Sequence, residues 1–413
     1  MDCRKVLEKI DSTRMYKRIV EIASLGPRDT ASPGDAASRE YVLKEASNLG
    51  ARTWTRSCRV VRFRAGATSL KVLEPVERDM VVLPQDRCDP TPPGGLVGEV
   101  EYARCGREED YKGASACGKI ILQDLWGLHM LEKVRVALDH GAKGLIWAHS
   151  RPGNKQSAWG LAQDGPSLPV VGVSLEDGDW LKRAVGSGPV RVRVDVEVSK
   201  EPATSDHIMA EVSAPFDSAE APASLDSRPA VLLMAHRDTT HVSPGASDNG
   251  SGLTVVLEVL RAFSGVSLPF RLAGLFAAAE EGGGLGIGQY AESGLANDFP
   301  RIEGVINLDM VGVGSKLLVV KGDRRYRTSA RINGLLEESA SALGYHLGEY
   351  EMPMGLADIT PLVARGIEST WLFKPDDPRF HTDQDIPDFV NPNDLKAAAD
   401  IVASTIWRLA QRT

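Results

Sequence analysis

Cysteine is scarce in this chain. Five occur in 413 residues, at Cys3, Cys58, Cys88, Cys105 and Cys117, and no Cys-x-x-Cys is among them. That argues against disulfides or a metal knot and leaves free thiols in a reducing compartment as the expectation. Long apolar runs are missing too. No window approaches the roughly 18 uninterrupted apolar residues of a membrane-spanning helix. The opening stretch MDCRKVLEKIDSTRMYKRIV is charged, with no apolar signal core. A cytoplasmic location is the expectation, with a processed secreted form as the alternative. Positive charge is not in excess: 48 Lys and Arg stand against 56 Asp and Glu, a net charge of -8. This argues against nucleic acid or an anionic membrane as partner. The local basic run KGDRRYR reads as a solvated face. Internal repeats and low-complexity tracts are absent.

What is present is enough chain for about two or three domains. The segment CRKVLEKIDSTRMYKRIVEIASLG sets Leu7, Ile10, Met15, Ile19 and Ile22 at helical spacing and ends at Gly26, so it predicts one helix. ASREYVLKEASNLG predicts a second helix and ARTWTRSCRVVRFRAG a strand. Between about Val97 and Val198 the chain has its own alternation. GLVGEVEYA and GKIILQDL read as strands, MLEKVRVALDHGAKGLIWAHS as helix, turn and strand, and SLPVVGVSLEDGDWLKRAVG as strand and helix. SKEPATSD is expected to be a linker. Then β and α alternate: HIMAEVSA and PAVLLMAH are strands around the small-residue loop PFDSAEAPASLDSR. They are followed by GLTVVLEVLRAF (helix), FRLAGLFAAAEE (strand), GIGQYAESGLA (helix), RIEGVINLDMVG (strand), SARINGLLEESASALG (helix), STWLFK (strand) and a closing helix from PNDLKAAAD onward. Such alternation indicates a layered α/β domain.

Chemistry gathers where those strands end. After AVLLMA comes AHRDTTHVSPGASDNGSGLT, with His236, Asp238 and, opening the next helix, Asp248. LAGLFAAA ends in Glu280 and Glu281, GVINL in Asp309, and STWLF leads to Phe380-His381-Thr382. Ligands in open α/β sheets sit beyond the carboxyl ends of strands, so these residues are expected at one rim. Two His with Asp248, Glu281 and Asp309 form an N/O donor set that suits Zn, Co or Mn. Five protein ligands are too many for one catalytic zinc and suit two metals sharing a carboxylate. Asp238 is placed to hold the second nitrogen of His236, and Glu280 to move a proton. Each motif alone has a structural explanation: Asp248-Asn249-Gly250 could simply cap a helix. Charges at four separate apolar strand ends, uncompensated, would repel one another. His241 is read as non-ligating. His129, His140, His149, His207 and His346 lack carboxylate context. GIGQYA, Gly286 to Ala291, fits a dinucleotide fingerprint, but Glu280 and Glu281 would repel a pyrophosphate.

Taken together, AHRDT…PGASDNGSG…LE, FAAAEE, NLDMVG and FHTDQD resemble the co-catalytic dizinc aminopeptidase and glutamate carboxypeptidase family, over about Asp206 to Thr413. The middle segment, with GREEDY, GKIIL, HGAKGLI and LPVVGVS, resembles a protease-associated domain. The resemblance implies a mixed, mostly parallel sheet flanked by helices. It also implies three stretches: 1–80 and 201–413 in the peptidase domain, and 81–200 as a smaller, β-rich or α+β insert. It implies two Zn2+ ions (Co2+ or Mn2+ as substitutes), one held by His236 and Asp309, the other by Glu281 and His381, with Asp248 bridging. Glu280 would be general base and acid, Asp238 the partner of His236, and the Asp248–Asn249 peptide cis. The implied activity is removal of N-terminal residues from peptide substrates, with homodimerisation left open. Two departures stand out. Ala357-Asp358-Ile359 replaces Ser-Asp-His, and Phe380 stands where the carboxypeptidase branch has Tyr, so that oxyanion donor is missing. The rivals are a carboxypeptidase or dipeptidase, a glutaminyl cyclase-like transferase, and a non-catalytic binding protein. The last is disfavoured because every expected ligand is present.

Overall fold

A computed structural model describes residues 3–112, 115–152, 158–161, 167–212, 228–353 and 355–412. Its strands are β1 (Arg52–Glu74), β2 (Arg78–Met80), β3 (Leu83–Pro84), β4 (Leu96–Tyr102), β5 (Ile120–Asp124), β6 (Gly144–Ala148), β7 (Val170–Val173), β8 (Arg191–Glu211), β9 (Ala230–His236), β10 (Arg271–Ala277), β11 (Ile302–Asp309), β12 (Leu318–Gly322), β13 (Gly348–Glu351) and β14 (Ser369–Phe373). Hydrogen bonding links them in the order β13-β12-β14-β11-β9-β10-β8-β4-β5-β6-β7-β3.

The central strands are apolar because both faces are covered. Every residue of β9 is buried. Val231, Leu233 and Ala235 pack toward the helices Ser12–Ala23, Gly252–Phe263 and Pro392–Arg412, while Leu232 and Met234 pack on the opposite face with Ile287, Tyr290 and Phe299. This is the continuous hydrophobic run expected of a doubly covered parallel sheet. Strands β9, β10, β11 and β14 are mutually parallel, so their carboxyl ends share one rim. Strands β4 to β7 are also parallel and carry a separate core that includes Leu122, Ile146, Trp147 and Val171.

Two segments differ from expectation. Residues 3–26 are not one helix but two, Cys3–Leu7 and Ser12–Ala23. Asp11 divides them: its carboxylate accepts from Thr13 N at 2.9 Å, capping the second helix. SKEPATSD is no linker. It lies within β8, paired to β1 from Ser199↔Arg64 to Asp206↔Ser57, so its backbone is held by a strand the local sequence does not contain. The loop PFDSAEAPASLDSR falls, apart from Arg228, outside the described residues. Among the described residues no helix is long and apolar enough to cross a membrane.

The helix Gly252–Phe263 buries Glu258 completely. Its carboxylate accepts from Arg14 Nη1 at 2.8 Å, Arg18 Nη1 at 2.9 Å, Arg261 Nη2 at 2.8 Å and Asp11 N at 3.0 Å, tying the N-terminal helices to the sheet's helical layer. Breaking a buried pair from one side strands the remaining charge, at a cost of about 3–5 kcal/mol. Glu258→Ala is therefore expected to lower the unfolding free energy by about 3 kcal/mol in urea titrations. A loss below about 1 kcal/mol, the range of exposed pairs, would show that the cluster does not anchor this layer.

Candidate metal centre

The shared rim collects the residues that the strand ends supply. His236 closes β9 and Asp309 closes β11, while Glu280 and Glu281 follow β10. His381 follows β14 on the turn after KPDDPR, in a left-handed backbone conformation with φ 62°. Asp248 comes from the turn before the helix Gly252–Phe263, and the Asp248–Asn249 peptide is cis. Two Asp385 oxygens hold that turn, accepting from Ser247 N at 2.7 Å and Asp248 N at 3.0 Å.

The donor atoms fall into two triads, His236 with Asp248 and Asp309, and Asp248 with Glu281 and His381, each with its donor atoms within 4.8 Å of one another. Asp248 belongs to both. Its Oδ1 lies 3.2 Å from His236 Nε2 and its Oδ2 lies 3.1 Å from His381 Nε2. Asp309 Oδ1 stands 3.4 Å from His236 Nε2 and Glu281 Oε2 3.0 Å from His381 Nε2. All five side chains are buried. Glu280, by contrast, is half-buried.

Asp238 sits where the sequence put it, but its contacts differ. The carbonyl of Asp238 meets His236 Nδ1 at 3.1 Å, while its carboxylate is 3.9 Å away, beyond hydrogen-bond reach. That carboxylate instead accepts from Glu280 N at 3.2 Å, Glu281 N at 3.1 Å and Thr30 Oγ1 at 3.2 Å. It thus sets the backbone of both glutamates. His241 belongs to neither triad and pairs through Nδ1 with buried Asp86. His140 does have a carboxylate partner, Glu108 at 2.9 Å, on the far insert. Gly286 serves packing: a Cβ there would sit 1.9 Å from the Ala278 carbonyl oxygen. Two cations of the basic run are paired, Arg327 with Glu351 at 2.7 Å and Lys321 with Glu337.

Charge at the rim is unbalanced. Burial, reinforced by neighbouring carboxylates, pushes Glu281 up to about 7, Asp358 up to about 8 and Glu280 well above its usual range. Burial alone would lower both imidazoles, but contact with Asp248, Asp309 and Glu281 raises His236 and His381 well above their ordinary value. Asp248 goes the other way: burial opposes its charge, and the two imidazoles outweigh that and lower it. Five carboxyl groups, Asp248, Glu280, Glu281, Asp309 and Asp358, thus face two imidazoles. Both oxygens of Asp358 are buried with no hydrogen-bond partner among the described residues. An excess of buried acceptors with an N/O donor set is the chemistry of a divalent cation site.

The sequence reading did not single out Asp385, Thr30 or Trp159 for a role. Asp385 lies in FHTDQD beside His381, so its position was visible. Trp159 comes from the insert and packs on His381 with ring centroids 4.5 Å apart. No local pattern ties those two residues together.

Residues 219–406 match peptidase family M28 and residues 85–181 match the PA domain. Aminopeptidase YwaD of Bacillus subtilis is 26% identical over 408 residues, covering 96% of this chain and 84% of that protein. Leucine aminopeptidase 2 of Trichophyton rubrum is 30% identical over 199 residues, 48% of this chain. The match spans only 38% of the fungal protein. A zinc aminopeptidase structure from Bacillus subtilis superposes with a TM-score of 0.76 at 24% identity over 97% of this chain and 95% of the other, a likeness of fold. The segment 219–406 is thus similar to peptidase family M28, and the segment 85–181 ahead of it is similar to the PA domain.

Proposed function

We propose that the protein is a two-zinc aminopeptidase that removes N-terminal residues from peptides. The observation that carries this reading is the Asp248 carboxylate, whose two oxygens each face a different histidine within two buried triads. His236 and Asp309 would hold one ion, Glu281 and His381 the other, with Asp248 shared. Zinc is favoured by the donor set and by the relatives' names, with Co2+ or Mn2+ as substitutes. The ions supply Lewis acidity, polarising the scissile carbonyl and easing deprotonation of the attacking water. Residues 1–80 and 201–413 would form the peptidase domain and 81–200 the insert.

The chain's own groups do the rest. Glu280 is the half-buried carboxylate at the rim and has a raised proton affinity because burial disfavours its charge. It takes the proton from the attacking water and returns it to the departing amine. Its backbone N–H is fixed on Asp238 Oδ1, so Asp238 sets where that carboxylate points. Phe380 has no hydroxyl and offers nothing to a developing oxyanion.

Short peptides offered free and N-acetylated, with products read by mass spectrometry, test the reading. Loss of N-terminal residues from the free forms alone, abolished by chelation and restored by zinc or cobalt, is the expected result. C-terminal trimming of the acetylated forms would move the assignment to a carboxypeptidase. Glu280→Gln is expected to lower kcat by about 10²–10⁴, the usual worth of a general base, with zinc content unchanged by atomic absorption. Asp248→Ala, measured the same way, is expected to lose metal, since it removes a donor from both triads.

A further inference from the structure

A histidine that binds a metal through one nitrogen normally donates its other N–H to a carboxylate, a carbonyl or water, which fixes the ring. His236 does so, through the Asp238 carbonyl at 3.1 Å. His381 does not: its Nδ1 is buried with no hydrogen-bond partner among the described residues. Its backbone is also in the left-handed region, so neither a hydrogen bond nor a regular element holds the ring.

The inserted segment 158–161 occupies that place. Ala158 N donates to the His381 carbonyl at 3.1 Å. The Trp159 ring packs against the His381 imidazole at 4.5 Å and edge-on to Phe380 at 5.5 Å, and Trp126 backs it at 4.9 Å. Gly160 lies so close to the other half of the triad that a Cβ there would fall 1.7 Å from the Glu281 carbonyl oxygen. Farther out, Arg151 bonds the carbonyls of Asp377 and of Pro375, the latter at 3.2 Å, and its guanidinium lies 5.3 Å from the Phe380 ring centre. The insert therefore grips the turn carrying His381 at its backbone, its ring and its approach.

We propose that Trp159 is a positioning residue for His381, fixing by ring packing the imidazole that a hydrogen bond would otherwise fix, so that the insert completes the Asp248–Glu281–His381 half of the centre. This rests on the reading of that triad as a zinc site. The insert is then part of the metal centre's support as well as a neighbour of the cleft.

Zinc bound per chain, measured by atomic absorption across a chelator series on the full-length protein, is the test. Trp159→Ala is expected to weaken one zinc at least about tenfold, as losses of such supporting contacts do, and to leave the other untouched. It should match His381→Ala in which ion is lost, and Trp159→Phe should recover most of the affinity. Gly160→Ala, which displaces the segment by a different route, is expected to weaken the same ion. With cobalt in place of zinc, the absorption band that His381→Ala removes should also shift in Trp159→Ala. A wild-type chain that takes up a single zinc would overturn the two-ion reading and this proposal with it. Two zincs in the wild type, held with unchanged affinity by Trp159→Ala, would overturn the positioning role alone.

Discussion

Carboxylates buried side by side repel one another and forfeit their hydration, so a fold that gathers them must bring compensating charge to the same place. Here the sheet itself forces the gathering. Parallel strands β9, β10, β11 and β14 deliver His236, Glu280, Glu281, Asp309 and His381 to one edge, because side chains after the last strand residue have nowhere else to go. Two imidazoles do not balance the acids. Burial, with that deficit added to it, holds Glu281 and Asp358 above the usual carboxylate range. Asp248, the one acid touching both imidazoles, is displaced the other way. Cations at the two triads would remove the conflict, and much of the surrounding backbone is arranged for that outcome.

The supporting contacts follow a common logic. Acids that hold the site do so through backbone N–H groups and not through other charges. Asp238 receives the amides of Glu280 and Glu281, and Asp385 receives those of Ser247 and Asp248. A main-chain amide adds no net charge, so Asp238 and Asp385 fix these stretches of backbone without themselves forming an ion pair. This arrangement also separates two roles that look alike in sequence. Asp238 and Asp309 are both acids at strand ends, yet the first faces inward to amides and the second faces His236.

Much of this was legible in the sequence, and for physical reasons. Strands buried on both faces leave unbroken apolar runs, so AVLLMA, LAGLFAAA and GVINL announce themselves, and the polar residue that ends each run is the one placed at the rim. The two long strands were less legible. SKEPATSD has little strand character of its own, and it is extended because β1 lies alongside it for its whole length. The break at Asp11 was hidden for the opposite reason. Apolar spacing continues through it, while the cap and the distant Glu258 decide the geometry. Asp238 illustrates the limit for side chains. Its proximity to His236 follows from a two-residue spacing, but which of its oxygens faces the imidazole depends on how β10 presents its amides.

Trp159 lay beyond reach of any such reading, since its neighbour in space is more than two hundred residues away and belongs to another layer. The sheet accounts for how they meet. Strands β1 and β8 run as one antiparallel ribbon from Arg52↔Glu211 to Glu74↔Arg191, leading from β10 to β4. A hinge of loose chain would let the insert drift, whereas this ribbon keeps its pairing on both sides of the register shift between Ala65 and Thr68. Because that ribbon borders β10 at one end and β4 at the other, the position of the insert is set by the same strands that set Glu280 and Glu281. Packing of Trp159 on His381 is thus a consequence of sheet continuity, and the turn that carries His381 is contacted from the insert's end of the same sheet.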